Sequence, residues 1–100
     1  MVLDDLSLKG KVALVTGGGS GIGGGITRGL AEAGASIACA YGHHEPTEMR
    51  QYIESIGGEF LAIHADVSDM KALPVIMEKT LERYGRLDIL VNNAGICPRC

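Results

Sequence analysis

The stretch Thr16-Gly17-Gly18-Gly19-Ser20-Gly21-Ile22-Gly23 decides the fold. It follows an apolar run, Val12-Ala13-Leu14-Val15, typical of a buried strand, and it opens an apolar pattern of helical spacing that runs from Ile22 to Ala33. A strand, a glycine-rich turn and a helix start therefore meet within a few residues. Unpaired helix N–H groups and the positive end of the helix dipole point to one place there, where an anion such as a phosphate can bind. The glycines of the turn, including Gly17, Gly19, Gly21 and Gly23, allow close backbone approach to that anion.

The spacing of the glycines separates the possible kinds of phosphate-binding loop. No Lys-Ser or Lys-Thr pair follows them, which excludes the loop of P-loop NTPases. A GxGxxG match exists at Gly19, Gly21 and Gly24, but so glycine-rich a run produces one easily. A better description of the motif is the pair Thr16-Gly17, followed after three residues by Gly21-Ile22-Gly23. A merely flexible turn is the alternative interpretation, and the flanking strand and helix argue against it.

The rest of the chain alternates short apolar strands with helices. Strands are predicted at residues 11–16, 36–41, 59–64 and 87–91, and helices at residues 22–33, at residues 46–56 and along an apolar stripe from Leu73 to Tyr84. This β-α-β-α-β-α-β order implies right-handed crossovers and a parallel sheet. The predicted fold class is α/β, the first half of a doubly wound parallel-sheet (Rossmann) fold with strand order 3-2-1-4. Residues 1–100 would then be the N-terminal part of a single nucleotide-binding domain, with a ligand crevice at the carboxyl ends of strands one and four.

Three glycines lie inside the first predicted helix. Gly24, Gly25 and Gly29 each weaken a helix by roughly 1 kcal/mol relative to alanine. Glycines at this cost suggest that the helix packs closely on the sheet or that a ligand approaches it closely. The alternative is that they are sequence changes which the helix merely tolerates.

Four features, which together span nearly the whole chain, resemble the short-chain dehydrogenase/reductase family. They are the glycine stretch, Asp66-Val67, Asn92-Asn93-Ala94-Gly95 and the LDILVNNAG run of residues 87–95. The resemblance implies an NAD or NADP cofactor and hydride transfer between its nicotinamide and an alcohol or carbonyl substrate. The residues implied to line the pyrophosphate and ribose are Gly17, Ser20, Ile22 and Gly23. The adenine amine would donate to Asp66 with Val67 beside it, and the residues implied to border the adenine ribose are Asn93, Ala94 and Gly95.

Simpler interpretations of these polar residues remain open. Asp66 or Ser68 could only cap the third helix, and Asn92 and Asn93 could only be turn residues. Within the family, the segments at residues 45–48, 73–74 and 92–96, with nearby Arg99, look most like the 2-deoxy-D-gluconate 3-dehydrogenase and 2-dehydro-3-deoxy-D-gluconate 5-dehydrogenase group. That likeness implies a sugar acid as substrate.

The choice between NAD and NADP depends on the end of the second strand. An acidic residue about 20 residues past the glycines normally holds the ribose 2′-hydroxyl and repels a 2′-phosphate. The corresponding window is Tyr41-Gly42-His43-His44-Glu45, in which Tyr41 is a predicted cofactor-binding residue and Glu45 is the nearest acid. No Arg or Lys lies in the window to hold a phosphate. We therefore expect a preference for NAD over NADP.

No catalytic residue is predicted in these 100 residues. The resemblance implies a Ser and a Tyr-x-x-x-Lys motif downstream of the NNAG residues, and none of Tyr41, Tyr52 and Tyr84 is followed by Lys four positions later. We therefore expect a parent oxidoreductase and a truncated chain that is inactive alone and is partly molten, aggregates or pairs through strand four. A non-catalytic module that senses NAD(H) and an incomplete, non-binding product are the alternatives.

Composition and charge argue against several other classes of function. The net charge of −3, without a basic block, argues against nucleic-acid binding, and no apolar stretch approaches the ~18 residues of a membrane span. The N-terminus lacks a signal-peptide core, and an odd number of cysteines, three, favours a reducing compartment, so a cytoplasmic location is expected. His43-His44 and the pair Cys97 and Cys100 are interpreted as loop and terminal residues, and no metal is predicted. The expected partners are a small-molecule substrate and, for a full-length protein, further copies of itself.

Overall fold

The computed structural model describes residues 7–17, 21–66 and 71–93. In these ranges four strands alternate with three helices: β1 (Val12–Thr16), α1 (Gly21–Glu32), β2 (Ser36–Tyr41), α2 (Thr47–Ser55), β3 (Phe60–His64), α3 (Ala72–Tyr84) and β4 (Ile89–Asn92). The strands form one parallel sheet in the order β3-β2-β1-β4. The predicted fold class, element order and strand order are confirmed.

Apolar side chains cover both faces of the sheet, which explains why its strands are nearly continuous apolar runs. On one face Ala13, Ile37 and Cys39 pack with residues of α1 and α2. On the other face Leu14 and the small Ala38 and Ala40 pack with Ile76 of α3. Cys39 has no exposed surface, as expected for a small apolar residue of the core.

The fully buried face of helix α1 consists of small residues, and the large Leu30 packs only partly buried against the core. Its buried residues are Gly23, Gly24, Thr27 and Ala31, whereas the side chain of Ile22 is 77% exposed. The buried Thr27 hydroxyl donates to the Gly23 carbonyl at 2.8 Å, so it has a partner inside the helix. Gly25 and Gly29 have open space where a Cβ would lie. Close packing on the sheet, one explanation considered for these two glycines, is therefore wrong.

Asp88 joins the amino end of β4 to the amino end of β1. Its Oδ2 accepts the Val12 N–H at 2.9 Å, and its own N–H donates to the Val12 carbonyl at 2.9 Å. The Arg86 guanidinium donates to both carboxylate oxygens at 2.8 Å. The hydrogen bonds from Arg86 and then from Val12 lower the pKa of Asp88 from 3.8 to about 2.

This lowered pKa predicts a specific acid dependence of stability. A carboxylate whose folded pKa lies below its ordinary value contributes stability that is complete above 3.8 and is lost as the pH falls toward about 2. Asp88→Asn is therefore expected to lower the urea midpoint near neutral pH and to converge with the parent protein in strong acid. Urea unfolding at a series of pH values checks this, with Glu78→Gln, exposed on α3, as the control. Midpoints that fall in parallel for the parent and Asp88→Asn across the acid range would contradict the prediction.

Candidate functional site

The carboxyl ends of β1 and β4 lie side by side and are joined by a side-chain hydrogen bond. Thr16 is in register with Asn92, and the Thr16 hydroxyl donates to the Asn92 side-chain oxygen at 3.0 Å. Thr16 is 3% exposed and Asn92 is exposed, so this hydrogen bond is partly buried. The two strands therefore end at the same level of the sheet.

Gly17, the first residue after β1, is hydrogen-bonded to β2 on one side and to the residue that follows β4 on the other. Its N–H donates to the Ala40 carbonyl of β2 at 2.9 Å, and its carbonyl accepts the Asn93 side-chain amide at 3.2 Å. Its φ of +66° is one that glycine adopts without strain. Asn93 is thus more than a turn residue, because its amide ties the end of β4 to the glycine turn.

The start of α1 lies against this turn at a distance that only glycine permits. A Cβ on Gly23 would lie 2.3 Å from the Gly17 carbonyl oxygen and 2.6 Å from the Asn93 amide nitrogen. The first turn of α1 carries no acidic residue, so no carboxylate within it opposes an anion at the positive end of the helix. Gly21 begins the helix with a φ of +61°, and the exposed Ile22 follows it. The arrangement can hold an anion against backbone N–H groups.

A groove of about 560 Å³ extends from Gly17 along the segment that leaves β2. It is lined by Gly17 and by residues 41–49, which include Tyr41, His43, His44, Glu45 and Glu48. Glu45 lies 3.9 Å from the Arg50 guanidinium, which is not among the lining residues. The lining therefore holds two carboxylates and two imidazoles, and neither Lys nor Arg is among its described residues.

The end of β3 borders a second cavity, of about 420 Å³. Its described lining is Gly42, His43, His64, Ala65 and Asp66. Asp66 is exposed, and it does not occupy the N-cap position of α3, which is Lys71. The His64 ring stacks on Tyr41, and its Nε2 lies 2.9 Å from the Gly42 carbonyl oxygen.

The structure thus brings together part of the predicted site. Gly17, Gly21, Ile22, Gly23 and Asn93 surround the turn after β1, Tyr41 lines the groove after β2, and Asp66 follows β3. The remaining predicted site residues, which lie outside the described residues, are Gly19, Ser20, Val67, Ala94 and Gly95.

Two contacts of the crevice were not predicted. The Thr16–Asn92 hydrogen bond joins the first residue of the glycine stretch to the first residue of the NNAG motif, and neither motif indicates this pairing. His64 belongs to no sequence motif. Only the strand register that pairs Tyr41 with His64 would have indicated its contact with Tyr41.

Two further findings concern sites of other kinds. Within residues 7–17, 21–66 and 71–93, no three His, Cys, Asp or Glu side chains cluster so as to hold a metal ion. None of the helices in the described part of the chain has both the length and the apolar character needed to cross a membrane.

Comparison with protein families and curated proteins finds clear relatives. A family model described as short chain dehydrogenase matches residues 11–100. Over 99 residues, the chain is 43% identical to the 2-dehydro-3-deoxy-D-gluconate 5-dehydrogenase of Dickeya dadantii and 40% identical to that of Escherichia coli. Each alignment covers 99% of this chain and 39% of the relative, so the chain spans well under half the length of these proteins.

Solved structures agree with this result. The hydroxysteroid dehydrogenase from Escherichia coli superposes with a TM-score of 0.81 at 33% identity, over 89% of this chain and 38% of that protein. A short-chain dehydrogenase/reductase from Serratia marcescens gives a TM-score of 0.81 at 42% identity, over 86% of this chain and 36% of that protein.

Proposed function

Because the chain belongs to the short-chain dehydrogenase/reductase family, we propose that it forms the cofactor-binding half of an NAD(P)-dependent oxidoreductase. The observation that carries the proposal is the contact of Gly23 with the Gly17 carbonyl and the Asn93 amide, where β1, α1 and β4 meet. A Cβ at Gly23 would collide with these two groups, so glycine is what lets the start of α1 lie against the turn, where its backbone N–H groups would receive a pyrophosphate. The nicotinamide of the bound cofactor would supply or accept the hydride.

The residues of the crevice suggest how each part of a dinucleotide is held. The pyrophosphate would bind at the start of α1, beside Gly21, Ile22 and Gly23. The adenosine ribose would occupy the groove that Tyr41 lines. The Asp66 carboxylate, at the end of β3, would accept a hydrogen bond from the adenine amine.

The charges of the groove support a preference for NAD over NADP. Glu45 and Glu48 line it, and neither Lys nor Arg is among its described lining residues. A carboxylate can accept the ribose 2′-hydroxyl, whereas it repels a 2′-phosphate. We expect tighter binding of NADH than of NADPH by the protein.

The proposed substrate is a sugar acid with an alcohol or carbonyl group. The support is the activity for which two relatives are named, each a 2-dehydro-3-deoxy-D-gluconate 5-dehydrogenase, at 43% and 40% identity. The proposal also includes a homo-oligomeric full-length enzyme that acts on this small molecule.

A second candidate function is a dinucleotide-binding module without catalysis. One observation favours it: the site residues that the structure describes all lie where the proposed cofactor would bind. In that case the protein would bind NAD(H) and report its presence without transferring a hydride.

Calorimetry with NADH, NADPH and ADP-ribose tests the binding proposal on the natural protein that contains these residues. We expect binding of NADH and ADP-ribose, and weaker binding of NADPH. The absence of binding by all three compounds would overturn the proposed function, and tighter NADPH binding would overturn the preference alone. Oxidation of NADH in the presence of 2-dehydro-3-deoxy-D-gluconate, followed by its absorbance, separates the enzyme from the binding module.

A further inference from the structure

The segment that leaves β2 at the proposed ribose groove is held by the end of β3. Tyr41 and His64 are register partners, and the Ala65 N–H donates to the Tyr41 carbonyl at 2.9 Å, which extends the strand pairing by one residue. The side chain of His64 adds two contacts. Its ring stacks on Tyr41 with centroids 5.1 Å apart at 30°, and its Nε2 lies 2.9 Å from the Gly42 carbonyl oxygen.

The hydrogen bond to the Gly42 carbonyl defines the tautomer of the neutral His64 ring. A backbone carbonyl only accepts hydrogen bonds, so Nε2 of His64 must carry the proton and donate it. In the neutral ring, Nδ1 is then unprotonated. This tautomer is a spectroscopic signature of the contact, because the two ring nitrogens have different nitrogen chemical shifts.

His64 acts on a wall that two cavities share. Gly42 and His43 line both the groove that begins at Gly17 and the smaller cavity beside Asp66. His64 lines the smaller cavity and is not part of the groove lining, so it supports this wall from the side away from the turn after β1.

We propose that His64 is a positioning residue that fixes Tyr41 and Gly42 for binding of the adenosine ribose. The inference rests on the proposed function, since it assigns the groove to a dinucleotide. His64 acts through Tyr41 and Gly42, and its two contacts have separable chemistry: an aromatic face for Tyr41 and an N–H donor for Gly42.

Three substitutions separate the two contacts. His64→Phe keeps a ring against Tyr41 and removes the donor, His64→Gln keeps a donor and removes the ring, and His64→Ala removes both. In calorimetry on the natural protein, His64→Ala is expected to weaken ADP-ribose binding by about tenfold, as for the loss of one hydrogen bond and one aromatic stack. The Phe and Gln variants should each give an intermediate loss.

Amide hydrogen exchange supplies a readout that does not depend on the cofactor. His64→Ala should speed exchange at residues 42–45 and leave the buried amides of β1 unchanged. Unchanged exchange at residues 42–45, or wild-type affinity for ADP-ribose in His64→Ala, would overturn the inference. Faster exchange throughout the sheet would also overturn it, because His64 would then be only a stabilising residue.

The two proposals can fail separately. If the parent protein binds neither NADH nor ADP-ribose, the proposed function fails and the ribose assignment of His64 fails with it. If the parent protein binds both and His64→Ala binds them equally well, only the positioning role is wrong.

Discussion

Replacement of Gly23 by alanine is expected to lower the free energy of unfolding by about 1–3 kcal/mol, the usual cost of overfilling a packed site. The added Cβ would lie 2.3 Å from the Gly17 carbonyl oxygen and 2.6 Å from the Asn93 amide nitrogen, and these two atoms are themselves joined by a hydrogen bond. Relief requires α1 to move away from the turn, which separates the groups proposed to hold the pyrophosphate. Pyrophosphate binding would then require α1 to return to its place against the turn, and a cost of about 1–3 kcal/mol for that return corresponds to a loss of NADH affinity of about five- to 150-fold.

Gly29→Ala is the matched control, since it makes the same change six residues later in the same helix. Gly29 is exposed and has open space where the Cβ would lie, so the substitution should stabilise the protein by about 1 kcal/mol through helix propensity. Denaturant unfolding and NADH calorimetry of both variants measure the effects. A Gly23→Ala protein that is stabilised like Gly29→Ala, with unchanged NADH affinity, would show that α1 does not press on the turn.

These two glycines illustrate how far the sequence predicts this site. The motif from Thr16 to Gly23 identifies the strand, the turn and the helix, because each has a local signature in composition and spacing. The same local rule gives Gly29 an importance that the structure does not support. Gly23 differs from Gly29 because it lies against the Asn93 side chain. Asn93 is 70 residues further along the chain, so rules based on neighbouring residues do not include it.

The buried faces of the helices were harder to predict than the helices themselves. Apolar spacing from Ile22 correctly indicates α1, but the buried residues of the helix are the small Gly23, Gly24, Thr27 and Ala31. Backbone-to-sheet approach is closest where side chains are small, so a hydrophobic scale gives such a face little weight. Likewise Leu81, part of the predicted stripe of α3, is 46% exposed.

Contacts between parallel strands are the part that the sequence leaves undetermined. Tyr41 meets His64, and Thr16 meets Asn92, only because the register of β2 with β3 and of β1 with β4 places them together. Register follows from packing of whole faces and from crossover geometry, which no short motif encodes. Strand order, in contrast, follows from the alternation of strands and helices together with the position of the glycine turn.

The second large expected effect is self-association through β4 in a polypeptide of these 100 residues. Within the described ranges β4 pairs with β1 alone, and its burial is much lower than that of β1. Leu90 is the register partner of Leu14, yet Leu90 is 45% exposed and Leu14 has no exposed surface. An apolar strand with one open edge is a template for pairing with another chain. We therefore expect this polypeptide to elute in size-exclusion chromatography as species larger than its 10.5 kDa mass.

Leu90→Lys should shift that elution toward the monomer, because a lysine on an edge strand must be desolvated when another strand pairs there. Val75→Lys is the control: Val75 is 52% exposed on α3, so the substitution changes charge and apolar surface in the same way without touching an edge. If both variants reduce association equally, the cause is general apolar exposure and not β4. A monomeric parent polypeptide with a sharp, cooperative melt would contradict the prediction altogether, because the apolar surface of β4 would then cost less than the ~5–15 kcal/mol that a domain of this kind has available.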